Sequence, residues 1–85
     1  MSELDVLRKD IDRLDKEIGE LLLSRFAVVK EIGEVKKRDD LPITNASREE
    51  EVIAKVRSLA LDPSEKDALE TAYRAIISAS KNLEK

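Results

Sequence analysis

The stretch LRKDIDRLDKEIGELLLSRFAVVKEIGEVK, residues 7–36, decides the fold. Gly19 and Gly33 lie within it and each costs roughly 1 kcal/mol relative to alanine, but neither is accompanied by a second helix breaker. The spacing therefore predicts one helix from Ser2 or Glu3 to about Lys37. Its apolar residues recur at alternating steps of four and three, which is the seam of a coiled-coil-like helix: they are Leu7, Ile11, Leu14, Ile18, Leu21, Val28, Ile32 and Val35.

Two shorter helices are predicted after this segment. The stretch RDDLPITN, residues 38–45, contains a proline and is predicted to be a loop. Ser47, with Glu50 three residues later, has the pattern of a capping box and predicts the start of the second helix. Asp62 followed by Pro63 predicts the start of the third, which we expect to run nearly to the last residue. The chain is thus predicted to be all-α.

Composition supports this fold class and limits the chemistry. The chain has 85 residues, 41% of them hydrophobic and 41% charged, with 2% aromatic and neither Cys nor His. Such a length allows one domain, which we predict to span residues 1–85. Without Cys or His there is no disulfide, no thiolate nucleophile and no imidazole base or metal ligand. Any chemistry must use Arg, Lys, Asp, Glu, Ser, Thr, Asn or Tyr.

Charge and hydropathy favour a soluble cytoplasmic protein. The net charge of −3, with one Phe and one Tyr, argues against a nucleic-acid binder. No apolar run approaches the ~20 residues of a membrane span, and the opening MSELDVLRKD is too charged for a signal peptide. We expect no association with nucleic acid or membrane.

The length of the first helix predicts a second chain. About 35 helical residues span about 52 Å, whereas a compact monomer of this size has a diameter of about 30 Å. The two shorter helices cannot cover the first along its whole length, so its apolar seam is left for another copy. We expect an antiparallel or intertwined homodimer. The same seam also fits a plain coiled coil that binds no ligand.

Two cations interrupt the apolar surface of the first helix. Arg25 occupies a seam position, where a buried guanidinium without a partner costs several kcal/mol. Lys36 lies within roughly 20° of Arg25 around the helix and about 16 Å further along it, with Val29 and Ile32 between them. Two inward cations on an apolar wall describe a pocket for a small, partly apolar dianion. Alternatively, both side chains reach solvent, or Arg25 pairs with a buried Glu across the dimer.

Polar residues elsewhere have ordinary interpretations as well as functional ones. Ser80 and Glu84 are one turn apart on the third helix. A serine there usually bonds back to its own helix, and a solvated helix end is the default for Glu84. Arg48 and Glu49 suit the first turn of the second helix as surface charges, and Arg8 is typical of a solvated residue on the flank of the first.

Four segments resemble, in order and spacing, the all-helical class of chorismate mutase. They are LRKDIDRLDKEI, LLLSRFAVVKEIGEVK, NASREE and IISAS, and the similarity covers nearly the whole chain. The resemblance implies an intertwined dimer of three-helix protomers, with each active site built mainly from one chain and completed by an Arg of the other. It also implies a monofunctional isomerase that converts chorismate to prephenate by a Claisen rearrangement in phenylalanine and tyrosine biosynthesis. That reaction requires no cofactor, metal or covalent intermediate.

The resemblance assigns roles to five positions by their place in the pattern. Arg25 would grip one carboxylate of chorismate, and the partner subunit's Arg8 would grip the other. Lys36 would donate to the ether oxygen, where negative charge develops. Glu49 would accept from the ring hydroxyl, with help from the backbone of Asn45.

The remaining implied roles concern charge and shape. Arg48 would brace the site electrostatically, and Ser80 would bind near the ring carboxylate. Val29, Ile32 and Ile77 would form the apolar walls.

Two positions depart from the family pattern. Asn45 stands where the family often has Asp, a change that a backbone contact would tolerate. Glu84 stands where some members have Gln, a second donor to the ether oxygen, and others have Glu. A carboxylate cannot donate, so Glu84 must be protonated to help. We therefore expect activity to rise as the pH falls below neutrality.

Two other functions stay open. An isochorismate-pyruvate lyase has the same fold and acts on a near-identical dianion, and the difference rests on the shape of the loop after Lys36. A non-catalytic helical dimerisation or interaction module would use Arg25 and Lys36 to bind acidic residues of a partner. Such a module would leave chorismate unchanged and would tolerate Arg25→Ala.

Overall fold

The computed structural model describes residues 2–85, which form three α-helices and no strand. Helix α1 is Glu3–Arg38, α2 is Ala46–Arg57 and α3 is Pro63–Glu84. The predicted all-α fold of three helices is confirmed, and α1 ends within one residue of its predicted end. Across residues 2–85, no helix combines the length and the apolar character that a membrane crossing demands.

Local signals set the starts of α1 and α3. The Ser2 Oγ accepts a hydrogen bond from the backbone N–H of Asp5 at 3.1 Å and caps α1. Helix α3 begins at Pro63 after its N-cap Asp62, which confirms the predicted start. Proline is suited to the first helical position because the N–H that it lacks has no partner there.

Helix α2 begins earlier than its predicted start. Its N-cap is Asn45, whose Oδ1 accepts a hydrogen bond from the backbone N–H of Arg48 at 3.1 Å. The prediction of Ser47 as the N-cap is therefore wrong, and Ser47 lies inside the first turn. Asparagine caps a helix about as well as serine, so the sequence offers two candidate N-caps within one turn.

A tight turn ends α1 and begins the loop. Asp40 has a positive φ of 55°, and the N–H of Leu41 donates to the carbonyl of Lys36 at 2.7 Å. The N–H of Asp40 also donates to the carbonyl of Lys37, so the carbonyls of Lys36 and Lys37 both have a partner. This reversal directs the loop, including Ile43, back along α1, where its carbonyl contacts the Lys36 side chain.

Helix α3 packs on both other helices, but α1 extends beyond them. The small core consists of Val29, Ile53, Val56 and Ile77. The molecule is 56 Å long with a radius of gyration of 16.1 Å, compared with about 12 Å for a compact chain of this size. The apolar seam in the first half of α1 is between 41% and 71% exposed: Leu4, Val6, Leu7, Ile11, Leu14, Ile18 and Leu21. The two shorter helices therefore leave this half uncovered.

An ion-pair network joins α2 to α3 away from the core. Arg57 Nη1 contacts Asp67 Oδ1 and Glu70 Oε1, both at 2.9 Å. Arg74 contacts Glu70 Oε2 at 2.9 Å and Glu50 Oε1 at 3.3 Å. The hydrogen bond from Arg74, together with the charges of both arginines, holds the pKa of Glu70 below its ordinary value of 4.5. The ionised carboxylate of Glu70 thus stabilises the packing of α2 on α3.

We expect Glu70→Gln to lower the melting temperature modestly at neutral pH. Because the pKa of Glu70 is lowered in the folded chain, its contribution is present above pH 4.5 and is lost as the pH falls below that value through the lowered pKa. Melting followed by circular dichroism at about pH 7 and about pH 3 should show the difference between the two chains shrinking in acid. Glu34→Gln, at an exposed position of α1, is the control. An equal difference at both pH values would contradict the role of Glu70.

Candidate active site

A cavity of about 260 Å³ lies between the three helices and the loop after α1. The two cations that the sequence places on one face of α1 both line it, as do the apolar residues between them. The lining residues are Arg25, Val29, Ile32 and Lys36 of α1, Ile43 and Asn45 before α2, Arg48, Glu49 and Val52 of α2, and Ile77, Ser80, Lys81 and Glu84 of α3.

Arg25 is held in place without being neutralised. Its Nη1 donates to the Ser80 Oγ at 2.7 Å, and its Cζ lies 5.8 Å from the centre of the Tyr73 ring. Ser80 in turn donates to the carbonyl of Ile76 at 2.7 Å, so it bonds back to its own helix and accepts from Arg25 at the same time. No carboxylate of residues 2–85 lies within 4.0 Å of Arg25. The guanidinium therefore offers the cavity a positioned, uncompensated charge.

Lys36 joins the loop to the end of α3. Its ammonium donates to Glu84 Oε1 at 2.7 Å and to the carbonyl of Ile43 at 2.8 Å. Glu84 is only 8% exposed, so the default of a solvated helix end is wrong for this residue. The counter-charge of Lys36 and the packing of the last turn of α3 against α1 explain its burial.

Lys81 is a lining residue that the sequence pattern did not predict. Its Nζ lies 2.9 Å from Glu49 Oε2, so the pair bridges α3 and α2 at the cavity. The available signal was its position four residues after Ile77, which places both side chains on one face of α3. Ile43 and Val52 were also missed, because nothing in their local sequence marks them as cavity residues.

The lining residues carry an excess of positive charge. The two lysines each face a carboxylate. Arg25 faces none, and Arg48 forms its ion pair at 3.3 Å with Glu51, which lies outside the lining. Four cations and two carboxylates leave the cavity with two net positive charges. A small dianion is the ligand that this balance favours.

All but one of the predicted site residues line this cavity. Arg8 is the exception: it is exposed on α1 and lies about 25 Å along the helix from Arg25. A single chain therefore cannot bring Arg8 to its own cavity. Asn45 does line the cavity while its side chain caps α2, a task that Asp performs equally well.

Comparisons with known proteins agree on one family. The model of the family described as chorismate mutase type II matches residues 7–85. Over 91 residues, the chain is 45% identical to a bifunctional chorismate mutase/prephenate dehydratase of Aquifex aeolicus, covering 100% of this chain and 25% of that protein. It is 37% identical over 84 residues to the T-protein of Enterobacter agglomerans, covering 94% and 22% respectively. The chain thus spans about a quarter of the length of these relatives.

The fold is also similar to that of a solved structure. Form II of the chorismate mutase from Thermus thermophilus superposes with a TM-score of 0.90 and is 32% identical in sequence. The match covers 98% of this chain and 94% of that one, so it includes all three helices.

Proposed function

The chain belongs to the chorismate mutase type II family, and from that premise we propose that it converts chorismate to prephenate in the synthesis of phenylalanine and tyrosine. In this Claisen rearrangement a C–C bond forms and the ether C–O bond breaks within one molecule. The observation that carries the proposal is the cavity itself. Arg25, which has no carboxylate partner among residues 2–85, and Lys36 lie at the two ends of its apolar wall. That arrangement suits a dicarboxylate folded into a compact chair.

In this proposal, Arg25 binds and orients the substrate. A guanidinium presents a fork of N–H groups that can bind a carboxylate through two parallel hydrogen bonds. Ser80 and Tyr73 restrict the Arg25 side chain before substrate arrives, so little conformational entropy is lost on binding. Val29 and Ile32 exclude water from the face of the ring.

Charge stabilisation falls to Lys36. An ammonium has three N–H donors, and in this chain two of them contact Glu84 and the carbonyl of Ile43. The third is available to the ether oxygen, on which negative charge grows as the C–O bond breaks. A donor fixed in advance at that point stabilises the transition state more than the bound substrate.

The acidic residues and Arg48 complete the proposed site. Glu49 accepts a hydrogen bond from the ring hydroxyl, and its ion pair with Lys81 fixes the direction of the carboxylate. Arg48 contributes positive potential from the start of α2, and the backbone of Asn45 lies beside it. We extend the proposal to a single cytoplasmic domain of residues 1–85, on the support of the family match over residues 7–85.

A homodimer is part of the proposal. Its support is the exposed apolar seam in the first half of α1 and the reach of that helix beyond the other two. In such a dimer the partner subunit's Arg8 binds the second carboxylate of chorismate. Sedimentation of the purified chain tests the assembly, and a stable folded monomer would contradict it.

Product identification separates the candidate functions. The purified chain is incubated with chorismate and, separately, with isochorismate, while ultraviolet absorbance is followed and products are resolved by chromatography. Prephenate from chorismate is expected. Salicylate and pyruvate from isochorismate would identify a lyase, and the absence of both products would favour the interaction module.

The pH dependence of the rate should reveal the role of Glu84. Glu84 accepts a hydrogen bond from Lys36 in the structure, and it can donate one to the ether oxygen only in its neutral form. We expect kcat/KM to rise as the pH falls below neutrality. Glu84→Gln has permanent N–H donors and should flatten this profile. Rates measured for both chains from about pH 5 to about pH 8 provide the test, and coincident profiles would contradict it.

A further inference from the structure

Gly33 occupies a position where a helix ordinarily disfavours glycine. It lies in the interior of α1, and no glycine among residues 2–85 has a positive φ, so conformational freedom does not explain its presence. A Cβ at this position would lie 2.8 Å from both the Cα and the carbonyl oxygen of Glu84. It would also lie 3.2 Å from the carbonyl carbon of Glu84. All of these are backbone atoms, so no side-chain rotation relieves the contact.

This close approach is next to the cation of the site. Gly33 precedes Lys36 by three residues and shares its face of α1. Glu84, whose backbone lies on Gly33, extends its carboxylate to the Lys36 ammonium at 2.7 Å. The separation between α1 and the last turn of α3 therefore sets whether this hydrogen bond can form.

We propose that Gly33 is a positioning residue for the reaction, because it lets the last turn of α3 lie directly on α1 and so holds Glu84 beside Lys36. The inference rests on the proposed function for its activity measurement. A methyl group at Gly33 must push the Glu84 backbone away by at least about half an ångström to reach ordinary contact distance. A displacement of that size weakens a short hydrogen bond, and a misplacement of about 1 Å can cost about 100-fold in rate.

The place of the clash determines how the chain responds to it. Glu84 is the last residue of α3, and helix ends move more easily than helix interiors. The added methyl group should therefore displace one turn of α3 and leave the core around Ile53 and Ile77 intact. We therefore expect Gly33→Ala to lower activity more than it lowers the stability of the fold.

Gly19 supplies a matched control in the same helix. A Cβ at Gly19 meets no atom of the chain within 4 Å, so the same substitution adds a methyl group that displaces nothing in the chain. Gly19→Ala should raise the stability of α1 by removing a helix-disfavouring residue, with no change in rate. The two substitutions are chemically identical and differ only in what faces them.

The experiment compares four variants with the parent chain: Gly33→Ala, Gly19→Ala, Glu84→Ala and the double variant Gly33→Ala/Glu84→Ala. We expect Gly33→Ala to lower kcat by about 10- to 100-fold with little change in KM. The double variant should be no slower than Glu84→Ala alone, because Gly33 acts through Glu84. The inference would be overturned if Gly33→Ala lowered kcat equally in the parent chain and in the Glu84→Ala chain, or lowered it in neither.

The pH profile adds a measurement that a merely structural role would not change. Lys36 on α1, Arg48 and Glu49 on α2, and Lys81 on α3 line the cavity with Glu84, so the same charged groups surround this carboxyl in the parent chain and in each variant. Gly33→Ala should lose the part of the pH dependence that Glu84→Gln also removes. The remaining pH dependence should be that of the parent chain. A profile that keeps its parental shape at reduced rate would overturn the inference. If Gly33→Ala alone is too unstable to assay, the Gly19→Ala background restores helix stability for the same comparison.

Amide hydrogen exchange separates the failure of this inference from failure of the proposed function. If the parent chain leaves chorismate unchanged, the proposed function is contradicted, but the structural claim about Gly33 is not. Exchange of the amides in the last turn of α3, residues 80–84, should be faster in Gly33→Ala than in the parent and unchanged in Gly19→Ala. Unchanged protection of these amides in Gly33→Ala would overturn the inference.

Discussion

Arg25→Ala should lower kcat/KM for chorismate by about 1,000-fold or more, the largest effect expected from any single substitution. The guanidinium has no carboxylate partner among residues 2–85, so its charge is available to the substrate. Removing it takes away the fork that fixes one end of a flexible molecule, and both binding and orientation suffer. Steady-state rates followed by the loss of chorismate absorbance measure the effect.

Stability measurements separate this loss from misfolding. Arg25 contributes to the fold one hydrogen bond to Ser80 and a contact with the Tyr73 ring, and removal of a half-buried charge is often neutral. The melting temperature should therefore change little. Arg25→Lys retains the positive charge but not the forked N–H donors of a guanidinium. Its rate should lie between those of the parent chain and Arg25→Ala. Arg13→Ala, at an exposed site on the same helix, should have the rate and the melting temperature of the parent chain. An interaction module would convert chorismate in none of these chains.

Mixing of two inactive chains tests whether the site is shared. In a dimer of one Arg8→Ala chain and one Arg25→Ala chain, one of the two sites has both arginines and the other has neither. Random exchange of subunits should therefore restore about a quarter of the parental activity. No recovery, in a mixture whose subunits are shown to exchange, would contradict the contribution of Arg8 across the interface.

Lys36→Met should lower kcat by about 100- to 1,000-fold, because the growing charge on the ether oxygen loses its donor. The effect on KM should be smaller, since this interaction strengthens only in the transition state. Methionine keeps much of the length and apolar character of the lysine stem, so contacts with the wall of the cavity change little. Single-turnover rates with saturating enzyme measure the chemical step directly.

Lys36 also has a structural task, which a second variant isolates. Lys36→Met leaves the buried carboxylate of Glu84 without its partner and the carbonyl of Ile43 without a donor. We expect a loss of about 1–3 kcal/mol in the free energy of unfolding. The double variant Lys36→Met/Glu84→Gln removes the unpaired charge, so it should regain stability but not activity. Recovery of activity in the double variant would contradict the role given to Lys36.

The part of the fold that sequence predicted is the part set by local geometry. A helix fixes the angle between its residues, so the spacing of Arg25 and Lys36 was enough to place both on one face of α1, where they line one cavity. Pro63 marked the start of α3 for an equally local reason. The start of α2 was wrong because two capping residues, Asn45 and Ser47, compete within one turn.

The burial of Glu84 could not be predicted, because it depends on contacts between distant segments. Its neighbours in sequence indicate a solvated helix end, and only the crossing of α3 over α1 at Gly33 encloses it. Gly19 and Gly33 are likewise indistinguishable as isolated letters within a helical pattern. Packing separates them, since one faces the backbone of another helix and the other faces open space. The pairing of Lys81 with Glu49 is a contact between helices of the same kind.

The two hydrogen bonds of Lys36 join three separate segments of the chain at the proposed site. Catalytic activity should therefore depend on all three segments being folded. The ammonium belongs to α1, one acceptor belongs to the loop that follows, and the other lies 48 residues further along the chain at the end of α3. In the proposed mechanism, a folding intermediate that lacks any one of these segments does not hold the Lys36 ammonium in place for the ether oxygen. The recovery of activity during refolding should therefore not precede the docking of the slowest of the three segments, so an enzymatic assay would report on a late step of folding.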